Sequence, residues 1–123
     1  MFDREIVLAL LVQVRQWLEK IRKRTALMQS ADDLVNSEEG EQIFDGICML
    51  FMAVGENLKR IDSLTGGTLF ADNTEADWTG AMGFRDVIAH QYFRIDPEEV
   101  FSILQDDMEP LLSGIEKIIQ KVE

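Results

Sequence analysis

Four residues able to do chemistry fall within eight positions: Arg85, Asp86, His90 and Tyr92, in the stretch Gly83-Phe84-Arg85-Asp86-Val87-Ile88-Ala89-His90-Gln91-Tyr92. His90 and Tyr92 are the only histidine and the only tyrosine of the chain. An arginine offers a phosphate a planar fork of donors and stays charged at every working pH, while a histidine exchanges a proton near neutrality. That combination suits the cleavage of RNA. His90 would act as general base or acid while a ribose 2′-hydroxyl attacks the adjacent phosphorus, and Arg85 would stabilise the charge gathering on the phosphoryl oxygens. Such a reaction requires neither a metal nor a cofactor. The same residue types also allow a plainer reading. In it the histidine interacts with the last carbonyls of a helix, Arg85 and Asp86 are surface charge, and Tyr92 packs with its hydroxyl in solvent.

Spacing constrains the arrangement. Five residues of ideal helix set Arg85 and His90 about 140° apart around the axis and about 7.5 Å apart along it, so they do not share a face. Arg85 and Tyr92 nearly superpose in projection. Asp86 lies one turn before His90, where its carboxylate can orient the imidazole or raise its basicity. Arg85 and His90 reach one phosphate if the helix loosens at its end, if the arginine bends back, or if two copies meet across a two-fold axis.

The frame that holds this stretch reads as helical. Asp3 caps a helix running to about Met28, with Ile6, Leu10, Trp17, Ile21 and Met28 near helical spacing. Its first half is apolar on more than one face, which points to burial on two sides, by the core and by a second subunit. Ser30-Ala31-Asp32-Asp33 has the form of a capping box, so a short helix follows through about Val35 before a turn at Asn36-Ser37. From Glu38 to Ile61 the apolar residues Ile43, Ile47, Leu50, Phe51, Val54, Leu58 and Ile61 mark a second long helix. Thr65-Gly66-Gly67 opens a loop to Asn73, and Thr74-Glu75-Ala76-Asp77 starts the helix through about Gln91 that carries the candidate site. Asp96-Pro97-Glu98-Glu99 starts the last helix, which runs toward Val122 with a kink or interruption at Pro110. The sum is one all-α domain over residues 1–123, a four-to-five-helix antiparallel bundle.

A formal charge of −11 excludes broad electrostatic wrapping of nucleic acid, so any contact with RNA must be local. The basic run Arg15, Lys20, Arg22, Lys23 and Arg24 holds five of the twelve lysines and arginines; it can guide RNA, but it more simply complements the dipole at the end of the first helix. Cys48 is the lone cysteine, set in the apolar run Ile47-Cys48-Met49-Leu50-Phe51, and reads as a core residue of a cytoplasmic protein. The apolar run from Ile6 to Val14 is far short of the roughly 20 residues that span a membrane, and it lacks the features of a signal peptide. Metal centres in helical bundles use paired Glu-x-x-His segments, whereas Val87 stands three residues before His90, so no metal site is expected.

The segment from Arg85 to Tyr92 resembles the Arg-x-x-x-x-His-x-Tyr motif of the HepT-like branch of the HEPN superfamily. The likeness extends further. Val54-Gly55-Glu56-Asn57 is similar to the family's Ile-Gly-Glu-Ala stretch, Trp78 precedes the motif, and Ile95-Asp96-Pro97-Glu98-Glu99-Val100 resembles its downstream helix start. Nearly the whole chain is covered. The resemblance implies a helical homodimer with its motifs at the subunit interface. It also implies a toxin ribonuclease that cleaves RNA without metal, paired with a nucleotidyltransferase antitoxin of the minimal MntA type. Arg85 and His90 would be the catalytic pair, and Tyr92 the hydroxyl that the antitoxin adenylylates, adding bulk and negative charge that repel the RNA phosphate. Asp86 stands where the family often has asparagine or another polar residue, and is either an orienting carboxylate or a helper in placing the phosphate. The alternative is a catalytically silent HEPN module that binds a nucleotidyltransferase.

Overall fold

The computed structural model describes residues 2–123, with Tyr92 described in its backbone only. Helices α1 (Arg4–Thr25), α2 (Glu38–Leu64), α3 (Thr68–Ala71), α4 (Trp78–Gln91), α5 (Pro97–Asp106) and α6 (Met108–Val122) follow in order, with 3₁₀ turns at Ala31–Leu34 and Tyr92–Arg94. The described residues contain no strand. None of their helices is long and apolar enough to cross a membrane.

Helix α1 begins where Asp3 accepts hydrogen bonds from the backbone N–H groups of Glu5 and Ile6. Its buried residues Val7, Leu10, Leu11, Val14, Leu18 and Ile21 pack against both α2 and α6. One apolar face of α1 is thus covered within the chain, while Ile6, Leu8, Ala9, Val12 and Trp17 keep part of their surface exposed. Ile6, expected on the inward stripe, is instead 42% exposed; the stripe starts one residue later, at Val7. The helix ends at Thr25 rather than Met28, and the Asp33 carboxylate then accepts from the N–H groups of Gln29 and Ser30, just ahead of the 3₁₀ turn Ala31–Leu34.

Asn57 of α2 donates to the carbonyl of Leu10 and to the side chain of Gln13, fixing α2 beside α1. Arg15 pairs with Glu116 at 2.9 Å and Arg22 with Glu109 at 3.2 Å, so α6 runs antiparallel to α1. Two of the five residues of the basic run are thus committed to α6. Helix α2 starts at the Ser37 cap with Glu38, Glu39 and Glu41 in its first turn, the favourable end of the helix dipole for negative charge.

The segment after α2 is more ordered than a loop. Gly66 and Gly67 take positive φ angles of 62° and 77° and reverse the chain, after which Thr68–Ala71 forms one helical turn. Phe70 of that turn is buried and stacks on Trp78 with ring centroids 4.9 Å apart, and the indole N–H of Trp78 donates to the carbonyl of Asn73. A single turn is too short to show periodicity in sequence. Helix α4 is capped by Asp77, which accepts from the N–H of Gly80, rather than from Thr74. The last helix is two helices, broken at Asp107 and not at Pro110. Pro110 falls in the first turn of α6, where a backbone N–H has no partner within the helix and proline costs little.

Candidate active site

Helices α2 and α4 meet at Gly55. A Cβ there would collide with the Cβ of Arg85 and lie 3.2 Å from the carbonyl oxygen of Ala81, so only glycine lets the two backbones approach this closely. The approach places Arg85 of α4 against the next residue of α2. Arg85 Nε lies 2.7 Å from Glu56 Oε2, an ion pair too misaligned to form a hydrogen bond. Arg85 Nη1 donates to Asp86 Oδ1 at 3.2 Å, and Lys59 Nζ, one helical turn beyond Gly55, donates to the same Oδ1 at 2.6 Å. Glu56, Arg85, Asp86 and Lys59 thus form a chain of alternating charge bridging α2 and α4. Arg85 is its most enclosed member, with 29% of its side chain exposed.

The hydrogen bond from Lys59, and after it that from Arg85, holds the Asp86 carboxyl below the usual carboxylate range. This corrects the pairing expected from helical spacing. Asp86 is bonded to Lys59 and Arg85, and no hydrogen bond or ion pair joins it to His90 among the described residues. The lysine across the helix interface reaches the carboxylate at 2.6 Å, close enough for a charge-assisted hydrogen bond. His90 stands exposed in the last turn of α4. The structure thus brings Arg85 and Asp86 together and leaves His90 outside their network, at the helix end.

Gln91 leaves helical geometry with φ −132° and ψ 34°, and the chain passes into the 3₁₀ turn that begins at Tyr92. The α-helix therefore ends before Tyr92, and the expected superposition of its side chain on Arg85 falls outside the described residues. The Tyr92 side chain lies outside the described residues. The break lies C-terminal to His90, so Arg85 and His90 keep their helical separation.

Sequence reasoning missed Glu56 and Lys59 as site residues. Each reads as an ordinary solvent-facing charge on an amphipathic helix; the usable signal was Gly55, a residue unfavourable in mid-helix and therefore a mark of close packing. A cleft of about 420 Å³ lies between α2, α4, α5 and α6, floored by Phe51, Val54, Phe84 and Ile103. None of Arg85, Asp86 and His90 lines it. Among the described residues no three His, Cys, Asp or Glu side chains are grouped as a metal site requires.

A family model described as ribonuclease HepT-like matches residues 14–118. The chain belongs to the HepT-like family. The HepT-like match begins inside α1 and ends inside α6, so it takes in the whole of α2 and α4 and the contact between them. No curated protein and no solved structure matches the chain.

Proposed function

We propose that this HepT-like protein is a metal-independent endoribonuclease acting in the cytoplasm, the toxin of a toxin–antitoxin pair. One observation carries the reading: Arg85 is anchored at the α2–α4 contact by Glu56 and Asp86, on the same helix as an exposed His90. A guanidinium fixed in place and a proton-exchanging group open to solvent are the two parts that phosphodiester cleavage needs.

In the reaction His90 takes the proton from a ribose 2′-hydroxyl, the 2′-oxygen bonds to phosphorus, and the bond from phosphorus to the 5′-oxygen breaks. The departing oxygen takes up a proton, leaving a 2′,3′-cyclic phosphate and a 5′-hydroxyl. Arg85 faces the charge that builds on the non-bridging oxygens. Asp86 serves as a phosphate-positioning residue, which its bonds to Lys59 and Arg85 support over a role as proton partner of His90. The working form is a homodimer, and Tyr92 is the hydroxyl adenylylated by an MntA-type nucleotidyltransferase antitoxin; both rest on the family and on the unbroken Arg85-to-His90-to-Tyr92 spacing.

The test compares cleavage of end-labelled RNA in EDTA by wild type and His90→Ala, with circular dichroism confirming that both are folded. Wild type yields cyclic phosphate ends, and the variant is slower by about 100-fold or more. Absence of cleavage by unmodified wild type would instead support a binding module. Mass spectrometry after incubation with the nucleotidyltransferase and ATP should find one added AMP, absent from Tyr92→Phe, and light scattering should give twice the monomer mass.

A further inference from the structure

Lys59 has no place in the Arg-x-x-x-x-His-x-Tyr motif, yet its position is the most specific in the cluster. Its Nζ and the Nη1 of Arg85 come from different helices and reach one atom, Asp86 Oδ1, at 2.6 and 3.2 Å. A lysine and an arginine converging on a single oxygen form the arrangement that grips a phosphoryl oxygen, the arginine supplying directed donors and the lysine a compact charge. As a structural ion pair the contact is weak: Lys59 and Asp86 are 38% and 45% exposed, where such pairs contribute little to stability. The overall charge makes local cations necessary, since a net charge of −11 opposes binding of a phosphate backbone except where cations gather.

We propose that Lys59 is a phosphate-binding residue of the ribonuclease site, gripping with Arg85 the phosphoryl oxygen whose position Asp86 Oδ1 marks in the free protein. The inference rests on the ribonuclease reading. It makes Asp86 a positioning residue that holds two like charges together before RNA arrives and gives up its oxygen position when RNA binds. Glu56 holds the Nε edge of Arg85, leaving the Nη edge for the substrate.

The experiment measures binding of a fluorescein-labelled single-stranded RNA to His90→Ala, which binds without cutting, across about 50 to 200 mM salt. In that background Lys59→Met should weaken binding about 10-fold at the lowest salt. It should also make the log–log salt slope shallower by about 0.7, the change expected when one fewer phosphate of a single strand is neutralised. Lys59→Arg should restore the slope, because it restores the charge. A slope unchanged in a folded Lys59→Met protein would overturn the proposal, and so would binding too weak to detect at the lowest salt. Cleavage by wild type alongside an unchanged slope would remove Lys59 and leave the ribonuclease reading standing. Absence of both cleavage and binding would remove the two together.

Discussion

An aspartate that follows an arginine in sequence looks like a self-neutralising surface pair, and only the fold shows that Asp86 answers to Lys59 on another helix. Its titration carries that information. Because the folded carboxyl lies below its ordinary range, Asp86 contributes stability that is present above pH about 4 and is lost as pH falls through its lowered folded value. Thermal unfolding should therefore find Asp86→Asn less stable than wild type at neutral pH, with the gap closing in acid. Gly55→Ala makes the complementary test of the backbone. The added methyl meets Arg85, so urea titration should show a loss of about 1–3 kcal/mol and cleavage should fall with it. Cys48 is the silent case. Burial, with Asp45 adding repulsion, pushes its thiol up to about 12, so a disulfide reagent at neutral pH should label it only after unfolding. Arg85, His90 and Cys48 were legible in sequence through type and spacing. Glu56 and Lys59 were not, because their partners lie across a helix interface that periodicity does not specify.

At the scale of elements, local chemistry was legible wherever a cap or a long apolar stripe announced it. Asp3 and Asp96 begin helices as expected, and Asp96→Ala should cost about 1 kcal/mol in denaturant unfolding by freeing the N–H of Glu98. The junction of α5 and α6 was misplaced because proline is visible in sequence and its tolerance in a first turn is not. Partial burial, and after it the charges of Asp106 and Asp77, raise the carboxyl of Asp107 at that junction above its ordinary range. A raised aspartate contributes stability below its unfolded pKa and loses it as pH rises through the folded value. Asp107→Asn should accordingly raise the melting temperature at neutral pH, by no more than about 1 kcal/mol in free energy because water screens the group, and should change nothing below pH about 4.

For the whole molecule, the all-α class and the single set of packed helices followed from composition and stripes, while the pairing of α1 with α6 did not. The excess of apolar residues on α1 required a second cover, and a sequence does not say whether that cover comes from another copy or from residues near its own far end. Part of that cover comes from α6: Arg15 and Glu116 stand 101 positions apart, Arg22 and Glu109 87 apart. Helices α2 and α4 meet across a much shorter span. Closing a long loop costs more chain entropy than closing a short one, so the α2–α4 contact should form early and α6 should dock late. In folding kinetics, truncating Ile88 should slow refolding, whereas truncating Ile115 should mainly speed unfolding. A chain emerging from the ribosome can thus bring Glu56, Lys59, Arg85 and Asp86 together before α6 has left the exit tunnel.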